Sequence, residues 1–270
     1  VPLAKTPPDP VPLTRRTSMN RLFAPPKKSS LNHTRLDQGV MTAPRSHSTY
    51  SLLAPMHYEP NYAYPVVVWL HSDGGDEKQL LRVMPHISMR NYVAVGVRAS
   101  HPCEGRRGYE WQQSSACILH AENRVQEAIA AARAKFNINT DRIFLAGHEA
   151  GGTMAFRLAL RSPQNFSGAL SAGGRFPLGQ MPLMNLHSLR DLPLFLAYCR
   201  DSEIYTSDDI CDELPLFHAA ALKVAIRQYP CGDELTTQML SDMDAWMMER
   251  VTGVPSCTEE SAVVSRGQWN

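Results

Sequence analysis

Between residues 64 and 251 the apolar positions alternate between two patterns. Short, nearly continuous apolar runs occur at Tyr64–His71 (YPVVVWLH), Tyr92–Val97, Arg142–Ala146, Phe166–Ala172, Leu194–Tyr198 and Val224–Tyr229. Runs of this length that end at turn residues predict strands covered on both faces. Between them lie helical patterns at Asp76–Arg90, Cys117–Phe136, Ala150–Arg161, Ile210–Leu222 and Thr236–Val251. In the second of these, Val125, Ile129, Ala132 and Phe136 recur at spacings of three and four with charges between them, which marks one buried face. Pro163 stops the third, and Leu240, Met243, Trp246 and Met247 share one side of the last. Ser48–Tyr58 has some strand character, Asn61–Tyr64 reads as a turn, and Arg98–Ser115 and the stretch from Gly173 to about Leu192 read as loops. Strands alternating with helices predict an α/β fold, a mostly parallel sheet with helices on both faces. Ligand chemistry in such sheets belongs to the loops beyond the carboxyl ends of the strands.

Residues 1–45 break the pattern. They hold eight prolines and eight Lys/Arg against only Asp9 and Asp37. A segment so poor in apolar residues cannot offset its ordering entropy, so a disordered basic tail is expected over 1–45, an α/β domain over 46–252 and a second tail over 253–270. The whole chain carries a net charge of only +1, which argues against a nucleic-acid partner. No apolar run is long enough to span a bilayer. The chain opens at Val1 with no basic-then-apolar leader, so an upstream piece is open to question. The six cysteines form no CxxC pair. Cys117 and Cys199 lie in apolar stretches and read as buried thiols, which fits a reducing cytoplasm, although Cys103 or Cys231 can still pair.

The most informative segment runs from Arg142 to Phe156: a buried strand enters Gly147-His148-Glu149-Ala150-Gly151 and leaves as a helix. Strand, Gly-x-x-x-Gly turn and helix form the setting of a nucleophile elbow. Three further landmarks follow buried strands in order: His71-Ser72-Asp73-Gly74-Gly75, Tyr198-Cys-Arg-Asp-Ser202-Glu-Ile204 and Tyr229-Pro-Cys-Gly-Asp233-Glu234. With these loops, residues 48–252 resemble the α/β-hydrolase superfamily, in its carboxylesterase, phospholipase and polyhydroxybutyrate-depolymerase-like branch. The resemblance implies an α/β-hydrolase fold, an oxyanion loop at His71–Gly75, a nucleophile at the elbow, an acid after the fifth strand and a histidine after the sixth.

The residues depart from that pattern at every triad position. Glu149 stands at the nucleophile position and Asp233 at the histidine position. The acid position aligns with Ser202, or with Asp201 after a one-residue shift. Ser72 replaces the usual glycine of the oxyanion loop. A serine hydroxyl attacks only when an imidazole takes its proton. A carboxylate nucleophile needs a later water attack that this histidine would normally assist. Glu149, Asp233 and Asp201 also concentrate negative charge, which calls for a shared proton, a cation from His148, His71 or Arg200, or a metal. The resemblance implies pocket roles for His71, Ser72, Asp73, Gly74, His148 and the Ala150 N–H. Simpler roles stand beside them: a structural hydrogen bond for His71, a turn for Asp73, and a solvated loop rather than an anion site for Arg106-Arg107.

Three functions follow as expectations. The first is a pseudoenzyme, a hydrolase scaffold kept for binding a small ligand or protein partner, without cofactor or metal. The second is an atypical hydrolase with Glu149 as nucleophile or general base and His148 or His101 as the supplied base. The third is an interaction or scaffold protein acting through its basic tail.

Overall fold

The computed structural model describes residues 49–179 and 186–254. The expected tail over 1–45, and the second tail from residue 255 onward, lie outside the described residues. In chain order the elements are β1 (Tyr50–Leu53), β2 (Tyr64–Leu70), α1 (Gln79–Ile87), β3 (Val93–Val97), β4 (His101–Pro102), β5 (Tyr109–Glu110), α2 (Ser115–Lys135), β6 (Ile138–His148) and α3 (Ala150–Arg161). A 3-10 turn at Pro163–Asn165 leads to β7 (Gly168–Ala172), α4 (Leu186–Leu189), β8 (Pro193–Cys199), α5 (Ser207–Ala219), β9 (Lys223–Tyr229) and α6 (Thr237–Thr252).

Seven strands form one sheet in the order β1-β3-β2-β6-β7-β8-β9. β1 pairs antiparallel with β3, and every other neighbour is parallel. Because successive side chains point to opposite faces, β2 feeds two cores. Val66, Val68 and Leu70 pack with residues of α2, α3 and α5 on one face. Val67 and Trp69 pack with α1 and α6 on the other. Full burial of such side chains contributes roughly 1.5–3 kcal/mol each, so both faces are firmly held. The expected α/β architecture is the observed one.

Four local expectations need correction. The stretch Arg98–Ser115 is not wholly irregular: β4 and β5 pair as a hairpin. Their two-residue strands are too short for a periodicity to show, and Gly105 and Gly108 turn the chain with positive φ. β6 starts at Ile138, not at Arg142, because exposed polar residues at its beginning hide the strand pattern. The fourth major helix starts at Ser207, where Thr206 and Asp209 close a capping box, and ends at Ala219. Finally, Cys199 is not a thiol but is joined to Cys231, with Cα atoms 5.0 Å apart. Each of the two cysteines ends or follows one of two adjacent strands, which brings their Cβ atoms within bonding range. Cys117 and Cys103 are buried free thiols. Among the described residues no helix is long and apolar enough to cross a membrane.

Candidate functional site

The sharpest feature is the bend between β6 and α3. Glu149 sits at its tip with φ +50° and ψ −121°, a conformation that costs a non-glycine residue of order 1–3 kcal/mol. Close packing on all sides holds it there. A Cβ on Gly147 would lie 2.4 Å from the Gly151 carbonyl, and one on Gly151 would lie 2.3 Å from the Leu70 carbonyl oxygen. Glycine at these two positions lets β6, α3 and β2 meet, and the meeting lifts the Glu149 side chain out of the sheet. The Glu149 N–H donates to the Ala172 carbonyl at 2.8 Å and fixes the bend to β7.

Glu149 lines a depression of about 280 Å³, counting the part open to solvent, together with His148, Gly173, Ser202, Ile204, Asp233, Glu234, Cys199 and Met239. The lining comes from the carboxyl ends of β6, β7, β8 and β9, where the topology placed the chemistry. Burial pushes the Glu149 carboxyl up to about 7, with the negative charges of Asp73 and Asp233 adding to the shift and Arg106 opposing it. Burial also raises Asp73.

His148 is the imidazole nearest to Glu149, with Nε2 3.9 Å from Oε1. That gap is too long for a hydrogen bond. Nδ1 is buried and has no partner among the described residues. Burial pushes the His148 ring down to about 4, against a weaker pull from Asp233, so the ring is neutral at pH 7. Alternation along β6 puts it on the face of Phe144 and Ala146, toward α6.

Ser202 and Asp233 are brought into direct contact. The Ser202 hydroxyl donates to Asp233 Oδ1. Ser202 Oγ also accepts from the N–H groups of Ile204 at 3.2 Å and Tyr205 at 2.9 Å. Its hydrogen and both acceptor sites are thereby occupied, so this serine is a turn-forming group and not a poised nucleophile. Asp201 is not brought into the depression: it is half exposed and paired with Arg200 at 3.0 Å. The same pairing engages Arg200, one of the cations considered for the acidic cluster, away from the depression.

The other expected pocket residues are not among those lining the depression. His71 is fully buried. Its Nε2 accepts from the Ala99 N–H at 3.0 Å, so Nδ1 carries the hydrogen and donates to the Ser72 carbonyl at 2.7 Å. Burial lowers its pKa. A neutral ring spent at both nitrogens is neither a base nor a counter-ion for Glu149. The Ser72 N–H donates to Gln79 at 3.2 Å and that of Gly74 to the Tyr109 carbonyl at 3.0 Å. Asp73 Oδ1 accepts from the Trp111 N–H at 3.2 Å, which ties the loop to the β4–β5 hairpin. Ala150 is the first residue of α3, so its N–H has no acceptor within the helix. His101, the second base considered, does not line the depression; its Nδ1 faces Ser100 Oγ at 2.9 Å.

Sequence reasoning set Arg106 aside as part of a solvated loop, yet its charge reaches both Glu149 and Asp73. It missed the Cys199–Cys231 link beside the Ser202–Asp233 pair. The position of both cysteines directly after adjacent strands was the available signal. Among the described residues no group of three or more His, Cys, Asp or Glu side chains is arranged to hold a metal ion.

Comparison with known proteins agrees with this architecture. Residues 105–248, just over half of the chain, match the phospholipase/carboxylesterase family model. Among solved structures, a Bacillus cereus carboxylesterase aligns with a TM-score of 0.61 at 17% identity, over 76% of this chain and 96% of that one. The L63A form of Arabidopsis thaliana SOBER1 aligns at 0.60 and 16% identity, over 70% and 100%. Zea mays acyl-protein thioesterase 2 aligns at 0.60 and 14% identity, over 75% and 98%. At these identities the structural likeness speaks for the fold alone. A search of curated proteins finds no match.

Proposed function

The chain belongs to the phospholipase/carboxylesterase family of α/β-hydrolases, and from that premise we propose that it is a pseudoenzyme, a non-catalytic member whose former active site binds rather than hydrolyses. In this reading Glu149 occupies the place of the nucleophile, Ser202 that of the acid and Asp233 that of the histidine. The supporting observation is the Ser202–Asp233 hydrogen bond. Two loop tips still meet as an acid and an imidazole would, but the donor and acceptor there are a hydroxyl and a carboxylate. Neither can take a proton from a nucleophile at pH 7 as an imidazole does. The negative charge at the base of the site also opposes the oxyanion that ester cleavage generates.

Hydrolysis through Glu149 is the second reading, and the 3.9 Å approach of His148 Nε2 favours it. It needs the imidazole to bind and release a proton near pH 7. Burial holds the ring neutral far below that range, so it is a weak base. Action through the basic tail falls outside the described residues. The cysteines no longer argue for a cytoplasmic location, because Cys199 and Cys231 are joined.

The test rebuilds the lost groups. The triple variant Glu149→Ser, Ser202→Asp, Asp233→His is expected to be labelled covalently by a fluorophosphonate, while the natural chain is not. Labelling of the natural chain would sink the proposal.

A further inference from the structure

We propose that the outer edge of β9 is the interface of a two-fold homodimer, in which β9 pairs antiparallel with β9 of a second copy and α5 packs beside its symmetry mate. This goes beyond the non-catalytic reading and stands whether or not the site at Glu149 turns over esters.

The strand edge comes first. β9 ends the sheet on one side, and its seven residues pair with β8 in one register without a shift. The Tyr229 carbonyl accepts from the Arg200 N–H at 2.8 Å, so the main-chain groups of Tyr229 face β8. By the alternation of a strand, those of Arg227, Ala225 and Lys223 do so too. The N–H and C=O groups of Val224, Ile226 and Gln228 therefore point away from the sheet, and no strand pairs with them among the described residues. Such an edge is a template for another strand unless a proline, a bulge or an outward charge blunts it. Residues 224–228 contain no proline. Their one charged side chain, Arg227, is held by Asp242 at 3.1 Å and lies over the Phe195 ring. The opposite edge, β1, is only four residues long.

The second observation concerns α5. Arg175 pairs with Asp209 at 3.0 Å and turns one flank of the helix toward the loop after β7. Ser207 Oγ accepts from Gln228 Nε2 at 3.4 Å, which lays the other flank along β9. Helical spacing puts Cys211, Leu214 and His218 on that flank with Ser207. All three are exposed, Leu214 to 44%. Strand edge and helix flank form one strip, about 24 Å long and about 20 Å wide from standard element dimensions. A two-fold contact across it covers on the order of 1,000 Å² in total, enough for a specific interface.

The charges select a second copy as the occupant. α5 runs opposite to β9, because it crosses between two parallel strands. Lys223 and His218 therefore mark one end of the strip, and Asp208, in the first turn of α5, marks the other. A two-fold axis beside Ile226 sets each end against the opposite charge of its mate. It also sets Val224 against Gln228, with both residues exchanging main-chain hydrogen bonds. Two residues of strand rise match about four residues of helix rise. Counted from the Gln228–Ser207 contact, Cys211 is then level with Ile226 and faces Cys211 of the second copy.

The test is sedimentation equilibrium of the full chain, with crosslinking by bismaleimidoethane. A dimer is expected, with a dissociation constant on the order of micromolar. Gln228→Pro removes one outward N–H and leaves the β8 pairing intact. Leu214→Glu places like charges beside the axis. Each is expected to raise the dissociation constant about tenfold or more with an unchanged circular dichroism spectrum. The crosslinked dimer is expected to disappear in Cys211→Ser. A chain that stays monomeric at about 100 μM, far above that constant, overturns the inference. So does a dimer that neither variant weakens, or one that crosslinks equally in Cys211→Ser. Slow hydrogen exchange at the Val224, Ile226 and Gln228 amides in a monomer would assign the edge to another segment of the same chain, and would equally overturn it.

Discussion

The Ser202 hydroxyl donates its hydrogen to the Asp233 carboxylate where β8 and β9 end side by side. The contact links two loop tips that are 31 residues apart in sequence. Ser202 Oγ gathers two main-chain N–H groups at the same time. One hydroxyl therefore organises the turn after β8 and satisfies the acid of the neighbouring loop.

Ser202→Ala is expected to lower stability by about 1–3 kcal/mol, because the carboxylate loses its donor and two N–H groups lose their acceptor. Urea denaturation at neutral pH measures this. Ser202→Thr keeps the hydroxyl and is expected to recover part of the loss.

Much of this site was legible before any coordinates. The glycine spacing around Glu149 signalled the bend, because only a close approach of strand and helix requires it, and order along the chain predicted which loops would meet. What stayed hidden was partnership. Nothing in the sequence distinguished Ser202 from Asp201 as the residue that turns inward, and the two differ only in which way one turn faces. His71 looked like a pocket residue because its loop resembles an oxyanion loop. Its ring is instead consumed by Ala99 and Ser72, contacts that span 28 residues in the first case and leave no local signal. Cys199 read as a thiol because its strand is apolar, yet its partner lies 32 residues away.

The disulfide closes a long loop, and loop-closure entropy favours the folded chain by about 3–4 kcal/mol for that span. The double variant Cys199→Ser, Cys231→Ser is expected to lose stability of that order in chemical denaturation. The loss should match that of the natural chain under a dithiol reductant.

Glu149 and His148 give opposite pH dependences. The Glu149 pKa is about 7 in the fold, above its ordinary value of 4.5. Its contribution is fully present below about pH 4.5 and is lost as pH rises to about 7. Glu149→Gln is therefore expected to stabilise the protein at pH 8 by about 1–2 kcal/mol, allowing for solvent screening of a partly exposed side chain. The gain should vanish near pH 4. The His148 pKa is about 4, below its ordinary value of 6.5, so its contribution is present above about pH 6.5 and is lost as pH falls toward about 4. Removing the Glu149 slope should expose that acid limb in thermal melts between pH 4 and pH 8.

Gly151→Ala is expected to destabilise the fold by about 3 kcal/mol or more, because the new Cβ would stand 2.3 Å from a main-chain carbonyl of β2. Thermal melting of this variant checks whether the bend at Glu149 depends on that approach.

The most direct measurement is the initial rate of hydrolysis of short-chain p-nitrophenyl esters by the purified natural chain, over a broad substrate panel at pH 7 to 8. The account predicts a rate equal to the protein-free blank at every substrate concentration. A saturable rate that disappears in Glu149→Gln would contradict it.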